Sequence, residues 1–207
     1  SKYGCTLKYV PEELKTYNIC LAAVRSNGEA LRYVPEVLKI LDICFAAVRS
    51  NGFALNFVPK VLITHNICLA AVNNNGDALF HVPYELRTYD ICLAAVNNDK
   101  SGRTLYNVPI ELRNLDICLA AVNNDKYGHA LYYVPKELIN LDICLVAVKK
   151  NGEALKYVPE GLKTLNICLA AVNNNGDALY YVPDELRTLN ICLAAVNNDK
   201  SGRTLYN

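Results

Sequence analysis

Apolar and polar positions come in blocks along this chain, and residues 31–58 show the scheme. Leu31, Val34, Leu38 and Leu41 stand three or four apart, so helical spacing puts them on one apolar stripe that runs across Pro35. A contiguous block follows, Ile43, Cys44, Phe45 and Val48, apolar on more than one side as in a helix sandwiched between neighbours. The pattern predicts two short helices per unit. Val34-Pro35 opens the first, since proline is tolerated at the first helical position. Acidic residues often come next (Glu12, Glu36, Glu85, Glu111), the sign favoured at a helix N-terminus. Asp42, matched by Asp or Asn in every equivalent position, is placed to cap the second helix, ICFAAVRSN. Gly52 is expected to end that helix in the left-handed conformation. The Ala-Ala pair lets neighbouring helices come close.

This unit recurs along the chain. Pro11, Pro35, Pro59, Pro83, Pro109, Pro135, Pro159 and Pro183 are spaced by 24 or 26 residues. Nine residues after each proline stands a cysteine: Cys20, Cys44, Cys68, Cys92, Cys118, Cys144, Cys168 and Cys192. The two long spacings fall where a loop reads NNDKSG (97–102) or NNDKYG (123–128), an insertion that leaves the register intact. Residues 73–107 and 173–207 differ at only five positions, which suggests recent tandem duplication or a demand that all units be alike. No unit of this length buries its apolar surface alone, so the units must stack. The expected fold is all-α, an α-solenoid of about eight helix-turn-helix repeats of 24–26 residues. It forms a single elongated array over 1–207, with units at 11–34, 35–58, 59–82, 83–108, 109–134, 135–158, 159–182 and 183–207.

The words "YVPEELKT…NICLAAV…NGEALRYVP" resemble the short helical repeats of domain-of-unknown-function family 4116 over essentially the whole chain. That resemblance implies tandem helical repeats and carries no activity with it. Val146, in place of the first alanine, and the DK insertions are the departures. "VPEVLKILDIC…N…AL…VP" is also similar to a leucine-rich repeat in length and punctuation. A leucine-rich repeat needs alternating apolar residues along a strand, whereas ICLAAV is contiguous and its alanines favour helix.

Composition adds exclusions. About half the residues are apolar, 20% are charged and the formal net charge is +1, a soluble, globular profile that argues against a surface made to coat nucleic acid or anionic lipid. Apolar runs stay far below the roughly 18 residues of a membrane span. The chain has no methionine and opens with no secretory signal, so it reads as a fragment of a longer array or a processed product. It begins at a half-unit and stops one step before the next Val-Pro helix, which would leave the helix NICLAAVNN with a bare apolar face. Flanking sequence or another copy would cover it, and open head-to-tail stacking yields a fibre.

Chemistry is sparse. One cysteine per repeat, inside the apolar block, reads as a structural thiol, because equivalent helices about 8–10 Å apart hold neighbouring thiols beyond disulfide reach. Unpaired thiols suit the cytoplasm or another reducing compartment; a secreted effector or an extracellular filament is the alternative. Cys5 differs, standing in the variable slot after a loop glycine, where exposure is expected. His65, His81 and His129 occupy three different positions of the unit, so no pair recurs as a constellation. The DK loops lack the acidic alternation of an EF-hand, and Walker, nucleophile-elbow and zinc spacings are missing. No catalytic residue, metal, cofactor or small-molecule substrate is expected.

"AAVNNNGDAL" is similar to the base-reading loop of TAL-effector repeats, with a variable pair before the glycine. The pair reads Arg25-Ser26, Arg49-Ser50, Lys149-Lys150 or, in the other five units, Asn-Asn. A base reader needs more diversity and more cations than that, so nucleic acid is the weakest reading and polar helix ends the plainer one. Aromatic residues cluster before each proline. Phe80, Tyr106, Tyr132 and Tyr180 stand three residues ahead of it, and Tyr133 and Tyr181 two. Doubled aromatics cannot all face one core, so they either line an exposed ridge suited to protein binding or cover the seam between repeats. The expected function is a non-enzymatic scaffold for protein interaction, with self-assembly into an array or filament as the alternative.

Overall fold

The computed structural model describes residues 6–99 and 102–199. Cys5 lies outside the described residues. The chain divides into two compact units, Ser1–Asn98 and Asp99–Asn207, with the boundary inside the NNDKSG insertion. The first unit holds α1 (Tyr17–Ser26), α2 (Leu41–Ser50), α3 (His65–Asn74) and α4 (Tyr89–Asn97). The second holds α5 (Leu115–Asn124), the short α6 (Ala130–Tyr133), α7 (Leu141–Lys150), α8 (Leu165–Asn174) and α9 (Leu189–Asn197). No strand occurs among the described residues. Each unit is an all-α solenoid in which every repeat stacks on the next.

Within a repeat the second helical element is 3-10 rather than α, except at α6. Between α2 and α3 it runs Gly52–Phe57, and a single 3-10 turn, Lys60–Leu62, follows. The length of that segment decides its type. Asn51 fixes its start, since the Asn51 side chain accepts from Phe53 N at 3.0 Å. Val58-Pro59 fixes its end, because a residue before proline is held extended, here at ψ 131°. The six residues between these two stops carry the i→i+3 pattern, which is common in such short pieces.

Several local expectations are corrected. Pro35 does not occupy the first helical position; it is the N-cap of the turn Glu36–Leu38, at φ −54° and ψ 142°, and its carbonyl accepts from Leu38 N at 2.9 Å. The apolar stripe therefore breaks at the proline: Leu31 and Val34 are buried, Leu38 is partly exposed, and Leu41 is 50% exposed. Asp42 is not a cap but the second residue of α2, where its charge still suits the positive end of the helix. The N-cap sits two positions earlier. Asn114 and Asn140 cap α5 and α7 with side-chain oxygens 3.0 Å from the N–H groups of Ile117 and Ile143.

Gly52 is the clearest correction. Among the described residues, positive φ belongs only to Gly102 (68°) and Gly128 (73°), both in DK loops. Gly52 begins the 3-10 segment, and a Cβ there would run into the carbonyl oxygen of Ala71 in the next repeat. Gly28 and Gly152 face Ala47 and Ala171 in the same way, so this glycine is needed for close approach, not for handedness.

The core of each unit follows from this stacking. Ile43, Cys44, Ala47 and Val48 from α2, with Ala54, Leu55 and Val58 from the segment after it, are closed to solvent, and their equivalents repeat the pattern. The second alanine of the Ala-Ala pair is the buried one. In the DK loops a buried aspartate takes over the capping: Asp99 accepts from Thr104 N at 2.9 Å, and Asp125 from Tyr127 N at 2.8 Å and Ala130 N at 2.6 Å.

Candidate protein-interaction surfaces

The residues ahead of each proline lie on the 3-10 segments or, for Tyr132 and Tyr133, on α6, and split by one position. Phe80, Tyr106, Tyr132 and Tyr180 are exposed, Tyr132 to 67%. Tyr133 and Tyr181 are half-buried, so they support the ridge rather than crown it. The first position is thus open to solvent and the second lies against the seam between repeats. In the second unit the rings form a chain: Tyr106 meets Tyr133 at 5.6 Å, Tyr133 meets Tyr132 at 5.1 Å edge-on, and Tyr132 meets Tyr157 at 5.5 Å. Tyr106 and Tyr132 each lean on the half-buried ring of the following repeat, a spacing suited to aromatic pairing. Lys156 then places its ammonium 4.9 Å over Tyr157. Arg113 stiffens the backbone beneath, donating to the carbonyls of Val108 (3.0 Å), Tyr106 (2.9 Å) and Tyr133 (3.2 Å).

In the first unit the same rows carry a different mixture. The Arg32 guanidinium lies between Tyr33 (5.5 Å) and Phe57 (5.2 Å), a cation–π sandwich across two repeats. His81 meets Phe80 at 5.2 Å and Phe53 at 6.0 Å, both edge-on, and burial pushes its pKa below the usual imidazole value.

A second surface, not anticipated from sequence, is formed by the α-helices. The first residues of seven of them, Tyr17, Leu41, Tyr89, Leu115, Leu141, Leu165 and Leu189, are exposed, while His65 at the start of α3 is half-buried. The signal was available in the phase of the buried set: positions 43, 44, 47 and 48 define the inward face, and position 41 falls off it. Grooves lie between adjacent helices on this side. One of about 630 Å³ is lined by Tyr17, Leu21, Arg25, Asp42, Phe45 and Arg49, among others. Another, of about 410 Å³, has the equivalent register on α7 and α8, with Lys149, Asn166, Leu169 and Asn173.

In two of the Asn-Asn pairs the second asparagine is an inter-repeat clip, whereas Asn98 and Asn198 donate to the Ala94 and Ala194 carbonyls of their own helices. The Asn74 side chain accepts from Gly52 N at 2.7 Å and donates to Arg49 O at 2.9 Å. Asn174 does the same with Gly152 N (2.8 Å) and Lys149 O (2.9 Å). Ser50 makes a weaker version, donating to Arg25 O at 3.2 Å.

The thiols are free. Cys20, Cys44, Cys68, Cys92, Cys118, Cys144 and Cys168 are buried, and Cys192 is partly exposed. Burial pushes Cys44, Cys68, Cys118 and Cys144 up to about 11. The Cys92 and Cys118 sulfurs donate to the carbonyls of Arg87 (3.6 Å) and Arg113 (3.7 Å). Such neutral thiols are poor nucleophiles. The three histidines sit apart from one another in function: His65 contacts Asp90 at 2.8 Å, and His129 stacks on Tyr127 at 6.2 Å with a buried, unpartnered Nδ1. Among the described residues no cluster of three or more His, Cys, Asp or Glu could hold a metal, and no helix is long and apolar enough to cross a membrane.

Most periods thus hold one α-helix and two 3-10 segments. The profile of the domain of unknown function DUF4116 matches residues 1–39, 41–87, 65–113, 88–139, 114–163, 140–187 and 164–205. The chain belongs to the DUF4116 family. No curated protein and no solved structure matches it. Each DUF4116 match after the first spans about two structural periods and overlaps its neighbours, as expected when a repeat has meaning only beside the next one. The clip between Asn74 and Gly52 is one such bond that a lone DUF4116 period could not make.

Proposed function

We propose that this chain is a non-enzymatic repeat scaffold that binds protein along the aromatic ridge of the short segments that precede its prolines. The observation that carries the reading is the chain of rings from Tyr106 through Tyr133 and Tyr132 to Tyr157, with its crown exposed and its base held by Arg113. Rigid tyrosines bring large contact area at little entropic cost, which makes them frequent interface anchors. The neutral, buried thiols and the scattered histidines favour binding over catalysis. Peptide display on the intact chain tests the reading, with Tyr106→Ser, Tyr132→Ser and Tyr180→Ser combined as the comparison. Selected peptides should bind the wild-type chain and lose about tenfold or more in affinity on the triple variant. Selection of peptides indifferent to all three tyrosines rejects the ridge as the binding surface.

A second reading, stacking of copies, is favoured by the likeness of the units, residues 73–107 and 173–207 differing at only five positions, and Leu193 stands exposed on α9. Light scattering across a concentration series separates the two readings. Mass that climbs with concentration, and falls back on Leu193→Glu, supports stacking; a constant monomer mass excludes it.

A further inference from the structure

The groove between α1 and α2 differs from every other inter-helix groove in charge. Its wall carries Arg25 and Arg49, one from each helix, near the helix C-termini. Equivalent positions elsewhere are Asn73, Asn97, Asn123, Lys149, Asn173 and Asn197, so no other neighbouring pair has two cations. A cation at a helix C-terminus complements the dipole, but the asparagines show that the fold does not need one there. Both arginines are exposed, and neither has a carboxylate partner among the described residues. The floor is Leu21, Phe45 and Ala46, all partly exposed, and Asp42 stands at the opposite end, also unpaired. The groove is therefore polarised: two positive charges, an apolar floor, one negative charge.

We propose that this groove binds a short extended peptide segment with acidic residues at one end, apolar side chains in the middle and a basic residue at the other. Charge complementarity selects the ends. Asp42 and Arg49 are seven residues apart on one helix, about 10 Å at the α-helical rise. An extended chain covers that distance in about three residues. The volume, about 630 Å³, suits a few side chains rather than a whole helix. Asp42 and the apolar floor disfavour a phosphate backbone, which would find cations at one end only. This site is separate from the tyrosine ridge, and each can fail without the other.

The test uses a fluorescein-labelled peptide of two glutamates, two leucines and a lysine, titrated against the full chain by anisotropy, with its charge-reversed counterpart as control. The first peptide should bind saturably and the reversed one about tenfold more weakly. Arg25→Glu with Arg49→Glu should invert that preference, while Tyr132→Ser and Tyr180→Ser should leave it unchanged. The groove on α7 and α8 offers a gain-of-function arm: Asn166→Asp with Asn173→Arg, beside the existing Lys149, should raise the stoichiometry from one peptide to two. The inference is overturned by equal affinity for both peptides, by a double arginine variant that binds like wild type, by displacement with oligouridylate, or by a stoichiometry that stays at one.

Discussion

Replacing Gly52 by alanine should damage the array far more than a helix-capping glycine would allow. The added Cβ would lie inside 3.0 Å of the Ala71 carbonyl oxygen, with the Ala78 Cβ at 3.2 Å and the Ala71 carbonyl carbon at 3.3 Å. None of these is the flexible end of a side chain. Ordinary contact begins at 3.4 Å, so α3 must retreat from this segment by at least 0.4 Å. A gap near half an ångström forfeits about a quarter of each dispersion contact, and a leucine-sized patch of seam holds roughly 50 contacts of about 0.15 kcal/mol each. That is a loss of about 2 kcal/mol. The Asn74 bond to Gly52 N, now 2.7 Å, is stretched as well, for about 1 kcal/mol more. The sum, about 3 kcal/mol, sits at the upper end of ordinary overpacking costs. Urea unfolding followed by far-ultraviolet circular dichroism reads the loss, and hydrogen exchange should place it on α2 and α3. Gly161→Ala is the control, since a Cβ there meets nothing within 4 Å; it should be neutral or stabilise by about 0.5 kcal/mol. Gly52→Asn decides the cause. Asparagine tolerates the left-handed conformation, so a cap glycine would accept it better than alanine. Close approach makes it at least as harmful. A Gly52→Ala cost below about 1 kcal/mol, or a milder Gly52→Asn, would refute the reasoning.

Other consequences follow from the same contacts. Asn174→Ala removes both bonds of a clip and leaves the Gly152 N–H without its acceptor, so about 2 kcal/mol should be lost on urea unfolding, while the equally polar but exposed Asn173→Ala should change little. Asp125→Ala should cost about 2–3 kcal/mol by the same assay, because two N–H groups lose a charged acceptor, and Asp125→Asn should cost less. For the thiols, the folded pKa near 11 lies above the unfolded value of roughly 8.5. Their stabilising contribution is complete below the unfolded value and drains away as pH rises towards the folded one. The melting temperature should therefore fall between about pH 9 and 11, and Cys44→Ala with Cys118→Ala should flatten that fall, whatever it does to stability at neutral pH. Brief labelling with a disulfide reagent at neutral pH, mapped by mass spectrometry, should modify the partly exposed Cys192 well before Cys44, Cys68 or Cys118; equal rates would place those thiols outside the core.

The amino-acid order by itself settles what is local or periodic. Ile43, Cys44 and Val48 are inward because their spacing matches a helix face, and the repeat step carries that assignment to the copies that have a neighbour on both sides. Proline and asparagine fix where each element starts and stops, because they act on their own backbone and its nearest neighbours. What a period cannot contain is the identity of the atom across the seam. Gly52 reads equally well as a left-handed cap or as a point of close approach, and only the Ala71 carbonyl, in the next repeat, chooses between them. Asn74 reads as a frayed helix end until its amide is seen between Gly52 and Arg49, 22 and 25 residues back along the chain. Leu41 reads as core while the helix is imagined to run through Pro35, and becomes surface once the extended Val34 breaks that phase. Polarity in the α1–α2 groove has the same origin. Arg25 and Arg49 are a full repeat apart in sequence, and stacking alone makes them a pair.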